Sequence, residues 1–166
     1  MEILFTSERT HQRADEILDY LRGPRLWIPH LDYPDFDAWA DKVHWQLKSE
    51  EKRACIGLVA GAVVGAVIYQ RHKTEPDTLE IKNVTVRPDM RGRYIANFLL
   101  RNAEIEGVRD FGGHQVIVDA KARNFAIRSY LFRNGYRVRK VEDLYGLGAG
   151  RDVVYHKAVG KLIRPV

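Results

Sequence analysis

Apolar positions change their spacing several times along this chain, and each change predicts an element. Glu2 to Thr6 can form a first strand. Thr6 or Ser7 then offers an N-cap, and Ala14, Ile17, Leu18 and Leu21 recur at helical spacing until Gly23-Pro24 stops them. An irregular stretch through Pro29 and Pro34 follows. Phe36, Trp39, Val43 and Leu47 mark a second helix, with Asp35 or Asp37 near its start, where negative charge suits the helix dipole. Arg53 to Val59 and Val63 to His72 predict two strands across an Ala60-Gly61-Ala62 turn. Thr78 to Arg87 reads as the fourth strand and Ile95 to Val108 as the third helix. A short apolar strand from Val116 runs into Asn124, and Phe125 to Arg133 reads as the fourth helix. Two last strands lie near Arg137–Tyr145 and Asp152–Ala158. The glycines at 146, 148 and 150 between them predict a flexible loop.

Composition narrows the class. The 166 residues suffice for one domain, taken as 1–166, with a substantial core. One cysteine, Cys55, excludes an intramolecular disulfide and suits a reducing cytoplasm. The first eight residues lack a basic region and a small-residue cleavage site, so no signal peptide is expected. Ala54 to Tyr69 is nearly all apolar, but it is shorter than the roughly 20 residues of a spanning helix and carries three glycines. A buried hairpin explains it, and no membrane association is expected. The six histidines show no paired metal spacing, so no metal site is indicated.

Charge is uneven. Residues 1–50 hold ten acids against six bases, net −4, and residues 51–166 hold twelve against twenty-one, net +9. That basic part is either an ordinary solvated surface or a holder of a polyanion. The polyanion could be a phosphorylated cofactor such as CoA, or a nucleic acid.

The segment Val86 to Ala96 carries the most specific chemistry. A strand turning tightly into a helix through Arg91, Gly92 and Arg93 aims several backbone N–H groups at one spot. The helix dipole adds positive charge there, so the turn suits a phosphate or pyrophosphate. Arg91, Gly92, Arg93, Tyr94, Ile95 and Ala96 resemble the acyl-CoA pyrophosphate loop of the GNAT superfamily of N-acetyltransferases. Arg91 and Ala96 fit the ends of that pattern, and Tyr94 stands where the family has Gly.

A second stretch supports the same resemblance. Asn124, Gly135 and Tyr136 align with the family's strand–Asn–helix–Gly-Phe pattern without a gap, which puts its tyrosine position at Leu131. A register slid by one matches Ala126 and Tyr130 instead, sets Arg123 at the Asn position, and needs one residue absorbed before Gly135, for instance in a π-bulge. The two registers differ by about 100° around the helix. Both stay open on the sequence.

The resemblance implies an α/β fold with a GNAT-like mixed, mostly antiparallel twisted sheet and flanking helices. It implies transfer of an acetyl group from acetyl-CoA, as co-substrate, to an amine of a small molecule or a protein. Backbone N–H groups from Val84 to Val86 would polarise the thioester, and Arg91 to Ala96 with Asn124 would hold the cofactor. Glu80, the only acid inside the fourth strand, would be the base through water, and Tyr130 would reprotonate the CoA thiolate. The plainer readings are an exposed strand residue for Glu80, a helix cap for Asn124, a packing aromatic for Tyr130 and a solvated loop for Arg91 and Arg93. Trp27, Trp39 and Trp45 fall in the region that lines the acceptor side in that fold. Asp32, Asp35, Asp37 and Asp41 could attract a cationic amine there or serve as a solvated helix start. A homodimer is compatible with the sequence. The rival functions are a non-catalytic GNAT-like binding module, to which Tyr94 and the open register point, and an enzyme or binder directed at nucleic acid.

Overall fold

The computed structural model describes residues 2–26, 28–29, 31–146 and 150–160, so Trp27 and the middle of the glycine-rich loop lie outside the described residues. The elements run β1 (Leu4–Thr6), α1 (Ala14–Arg22), α2 (Phe36–Lys48), β2 (Lys52–Val59), β3 (Ala62–Arg71), β4 (Thr78–Val86), α3 (Ile95–Phe111), β5 (Gln115–Lys121), α4 (Phe125–Arg133), β6 (Arg137–Glu142) and β7 (Asp152–Ala158). This is the predicted order. The strands form one sheet in the order β1-β2-β3-β4-β5-β7-β6. Its described pairs are antiparallel except β4 with β5. No helix among the described residues is long and apolar enough to cross a membrane.

Period-two patterning sends β2 and β3 to two different cores. Ala54, Ile56, Leu58, Ala66 and Ile68 join Ile17, Leu21, Ala40, Val43 and Leu47 of α1 and α2 on one face. Cys55, Val64, Val67 and Tyr69 join Leu79, Ile81, Leu99, Leu100, Val116 and Val118 on the other, under α3. A strand buried on both faces reads as continuous apolar sequence, which is why 54–69 is nearly all apolar, as the expected hairpin.

Two local expectations are corrected. The predicted N-cap at Thr6 or Ser7 does not cap α1. A 3-10 turn over Thr10–Arg13 precedes the helix, Arg13 sits at the N-cap without a side-chain bond, and Thr6 Oγ1 accepts the Glu8 N–H at 3.1 Å. The sixth strand stops at Glu142 rather than Tyr145. Asp143 Oδ1 accepts the Gly146 N–H at 2.9 Å and Asp152 Oδ2 accepts the Leu144 N–H at 3.3 Å. Such bonds offer the backbone an alternative to the ladder.

Gly107 sets how closely α3 lies on β4. A Cβ at this position would come within 2.6 Å of Leu79 Cδ1 and 3.0 Å of its Cγ, and Leu79 is fully buried. Gly107→Ala is therefore expected to destabilise the fold by about 1–3 kcal/mol, despite alanine's better helix propensity. Urea denaturation measures it. A stability equal to or above the parent's would mean that the helix shifts freely.

Candidate active site

The sheet opens where β4 and β5 part. Their pairing runs from Thr78↔Gln115 to Ile81↔Val118 and stops there, although both strands continue. The opening has a local cause. In the β3–β4 ladder Ile68 faces Asn83 and Tyr69 faces Ile81, which leaves Lys82 as an extra residue. A bulge of this kind bends its strand and increases the twist, here at the first residue past the last β4–β5 pair. Beyond it, backbone groups of β4 that turn away from β3 have no strand to bond to.

A cleft of about 320 Å³ fills this gap. Lys82 to Thr85 line one side and Val118 to Lys121 the other, with Arg91, Asn124, Ile127 and Leu131 toward α3 and α4. At the opposite end stand Tyr33, Asp35, Phe36 and Trp39 from the α1–α2 side and Tyr145 from the β6–β7 loop.

At the α3 end the predicted anion turn takes shape. Gly92 has φ +74° with open space where a Cβ would lie, and Tyr94 has φ +60° in the left-handed region. The first bond of α3 runs from the Phe98 N–H to the Tyr94 carbonyl at 3.1 Å, so the N–H groups of Ile95, Ala96 and Asn97 have no intrahelical acceptor. Tyr94 thus adopts a backbone suited to glycine and turns its ring out, 74% exposed. Arg91 donates Nε to the Val86 carbonyl at 3.2 Å, which ties the turn to the end of β4. Arg93 is exposed and does not line the cleft.

α4 runs regularly from its cap to its closing turn. Asn124 caps the helix, its Oδ1 accepting the Ile127 N–H at 3.3 Å, and it also lines the cleft. At the other end Gly135, φ +89°, donates to Phe132 and the Tyr136 N–H donates to Leu131, both at 3.1 Å. This is a Schellman closure. The helix needs no inserted residue, and Leu131 rather than Tyr130 reaches the cleft wall. Tyr130 packs against the core with its hydroxyl buried and without a partner among the described residues, and burial raises its pKa.

Glu80 also lies off the cleft wall. It belongs to a chain across three strands: Lys52 Nζ donates to Gln70 Oε1, Gln70 Nε2 to Glu80 Oε2 at 2.6 Å, and Lys82 Nζ to Glu80 Oε1 at 2.9 Å. Burial alone would raise the Glu80 pKa, but Lys82 and these two bonds outweigh it and the net direction is down. Burial also pulls Lys52 down to about 8.

The carboxylate inside the cleft is Asp119, which sequence reasoning passed over. It faces the gap from β5, and its Oδ2 accepts the Tyr145 hydroxyl at 3.1 Å. Burial is the main cause of a raised pKa there, and the negative charges of Asp152 and Glu80 add to it against the opposing pull of Lys82 and the Tyr145 bond. A half-buried carboxylate in a cleft, with a raised pKa, is the usual profile of a proton acceptor. The available signal was one acid between Val118 and Ala120 in an apolar strand. Of the two described tryptophans, Trp39 lines the cleft with its ring tilted against Phe36 at 5.7 Å, whereas Trp45 is 71% exposed elsewhere.

By sequence, residues 14–136 match the acetyltransferase (GNAT) family. Comparison with curated proteins gives no match. Several solved structures share the fold. PaiA N-acetyltransferase from Thermoplasma acidophilum, solved with coenzyme A, superposes with a TM-score of 0.70 at 14% identity, covering 96% of this chain and 100% of that one. An aminoglycoside 6'-acetyltransferase type Ii gives 0.70 at 19% identity over 99% and 100%. A protein from Desulfovibrio desulfuricans assigned to the GNAT acetyltransferases gives 0.75 at 14% identity over 96% and 100%.

Proposed function

The chain belongs to the acetyltransferase (GNAT) family, and on that premise we propose that it transfers the acetyl group of acetyl-CoA to an amine, with Asp119 as the proton acceptor. The observation that carries this reading is the parting of β4 and β5, with open amides at one end of the gap and a carboxylate inside it.

In this reading the pyrophosphate sits on the N–H groups of Gly92 to Ala96 beside Arg91, and Arg93 contributes only long-range charge. The thioester arm runs through the gap between β4 and β5. Backbone N–H groups between Val84 and Val86 that face the gap stabilise the negative charge developing on the carbonyl oxygen. Asn124 fixes the start of α4 against the arm. Asp119 takes a proton from the acceptor's ammonium, the neutral nitrogen bonds to the carbonyl carbon, the carbon–sulfur bond breaks, and the nitrogen's second proton leaves through water toward the departing sulfur. The departing thiolate has an ordinary pKa of about 8.5, so water can return its proton.

Glu80 and Tyr130 remain the base and acid that the family resemblance implies, and their substitution separates the two schemes. Glu80→Gln and Tyr130→Phe are each expected to keep kcat within about tenfold, below the typical worth of general acid–base assistance. A fall of about 10²-fold or more in either, with folding intact, would restore that residue to the mechanism.

Isothermal titration with acetyl-CoA tests the reading as a whole. Saturable heat is expected. None would leave a GNAT-like module acting without this co-substrate. Tyr94→Gly should bind acetyl-CoA at least as tightly as the parent, because the backbone conformation is already the one glycine prefers. It should also lose little stability, since relieved strain of roughly 1–3 kcal/mol offsets glycine's extra chain entropy. Weaker binding would mean that the tyrosine ring itself contacts the cofactor.

A further inference from the structure

Resting on the acetyl-transfer reading, we propose that the acceptor is a small primary amine on an apolar, aromatic-sized body without a carboxylate. Its nitrogen meets Asp119 and its body lies against Phe36 and Trp39.

The first argument is the distribution of unpaired charge. Of the four acids near the second helix, Asp37 and Asp41 face Arg22 at 3.9 and 2.8 Å, and Asp32 pairs with Arg123. Lys82 is held by Glu80 and Lys121 by Asp152, each at 2.9 Å. Among the described residues this leaves Asp119 within the cleft and Asp35 on its wall as acids without an ion-pair partner. An ammonium is attracted to such a site, and a carboxylate on the same molecule is repelled, so amines are favoured over the corresponding amino acids.

The second argument is the wall. Phe36 and Trp39 present a tilted ring pair, with Leu26 and Ile28 beside them. Tyr33 and Tyr145 line the cleft from two different loops, and Tyr145 donates its hydroxyl to Asp119 at 3.1 Å. Aromatic faces near an acid suit a cation attached to a flat apolar group.

The third is size. About 320 Å³ lies at the lower end of ligand pockets, roughly 300–1,000 Å³, and the thioester arm must share it. A polycationic sugar or a peptide would leave most of its bulk in solvent, away from the wall.

The test measures CoA thiol release with phenethylamine, phenylalanine, putrescine, kanamycin and a short lysine peptide as acceptors. Acetyl-CoA binding is followed calorimetrically in parallel. Phenethylamine should give the highest kcat/KM, by at least about tenfold over each of the others. Trp39→Ala should raise the phenethylamine KM about tenfold with acetyl-CoA affinity unchanged, and should affect putrescine far less. Asp35→Lys, at an exposed position, should narrow the gap between phenethylamine and phenylalanine, which a merely structural role would not do. Equal or better use of phenylalanine, putrescine, kanamycin or the peptide overturns the proposal. So does an unchanged discrimination in Asp35→Lys. Acetyl-CoA binding without release to phenethylamine also overturns it while leaving acetyl transfer intact. No heat and no release with any amine would instead overturn the acetyl-transfer reading beneath it.

Discussion

Asp119→Asn is expected to lower kcat for acetyl transfer by about 10²–10⁴-fold while leaving acetyl-CoA affinity nearly unchanged. Asparagine keeps the shape and can still accept the Tyr145 hydroxyl, so the change isolates the proton-accepting capacity. The parent's rate should climb with pH as Asp119 ionises. Because its pKa is raised, that limb lies above the range of an ordinary carboxylate near 3.9. In the variant the limb disappears. Stability should move the opposite way. Below pH of about 3.9 the carboxyl is neutral in both folded and unfolded chains and costs nothing. Above it the unfolded carboxyl ionises first, so the folded state is penalised until the pH passes the raised folded pKa. The penalty then stays constant. Asp119→Asn should therefore raise the melting temperature near neutral pH, with the gain shrinking toward pH 4. An active variant with the parent's pH profile would remove Asp119 from the chemistry, and a lower melting temperature at pH 7 would contradict the burial penalty.

The largest expected loss of stability lies at Glu104, 2% exposed on α3. Its carboxylate accepts the Tyr136 hydroxyl at 2.8 Å and both of its oxygens accept from Lys157 Nζ, at 2.8 and 2.9 Å. One residue therefore joins α3, Tyr136 just past the end of α4, and β7. Glu104→Ala leaves an ammonium and a phenol without their acceptor, and should cost about 3–5 kcal/mol in chemical denaturation. Replacing Lys157 by Met in the same chain should recover part of that loss, because the stranded charge, more than the missing attraction, causes the damage. A loss under about 1 kcal/mol would place the pair in the class of solvated surface bridges.

Most of the fold was legible in the chain because its cues are local. Helical spacing located α1 and α2, glycine at 61 located the hairpin, and the Arg91-Gly92 turn and the Asn124 to Gly135 interval located the two specific motifs. What escaped depends on partners distant in sequence. Nothing near Lys82 announces a bulge, which exists only in its ladder with β3. Asp119 looked like a routine interruption of a strand, and Tyr145 like the end of another. Their meeting at 3.1 Å requires β7 to pair beside β5 and β6 beside β7 in the sheet. Spacing could not show which of Tyr130 and Leu131 lines the cleft, since that depends on how the helix ends.

The bulge at Lys82 separates the existence of the binding site from its contents. The gap is opened by a count of backbone residues, eight on β4 from Leu79 to Val86 against seven on β3 from Gly65 to Arg71, and not by any side chain that lines it. Mutations around the cleft can thus alter which molecules are admitted without endangering the opening itself. A lineage built on this sheet can exchange one acceptor for another by drift in its loops while the doorway is inherited unchanged.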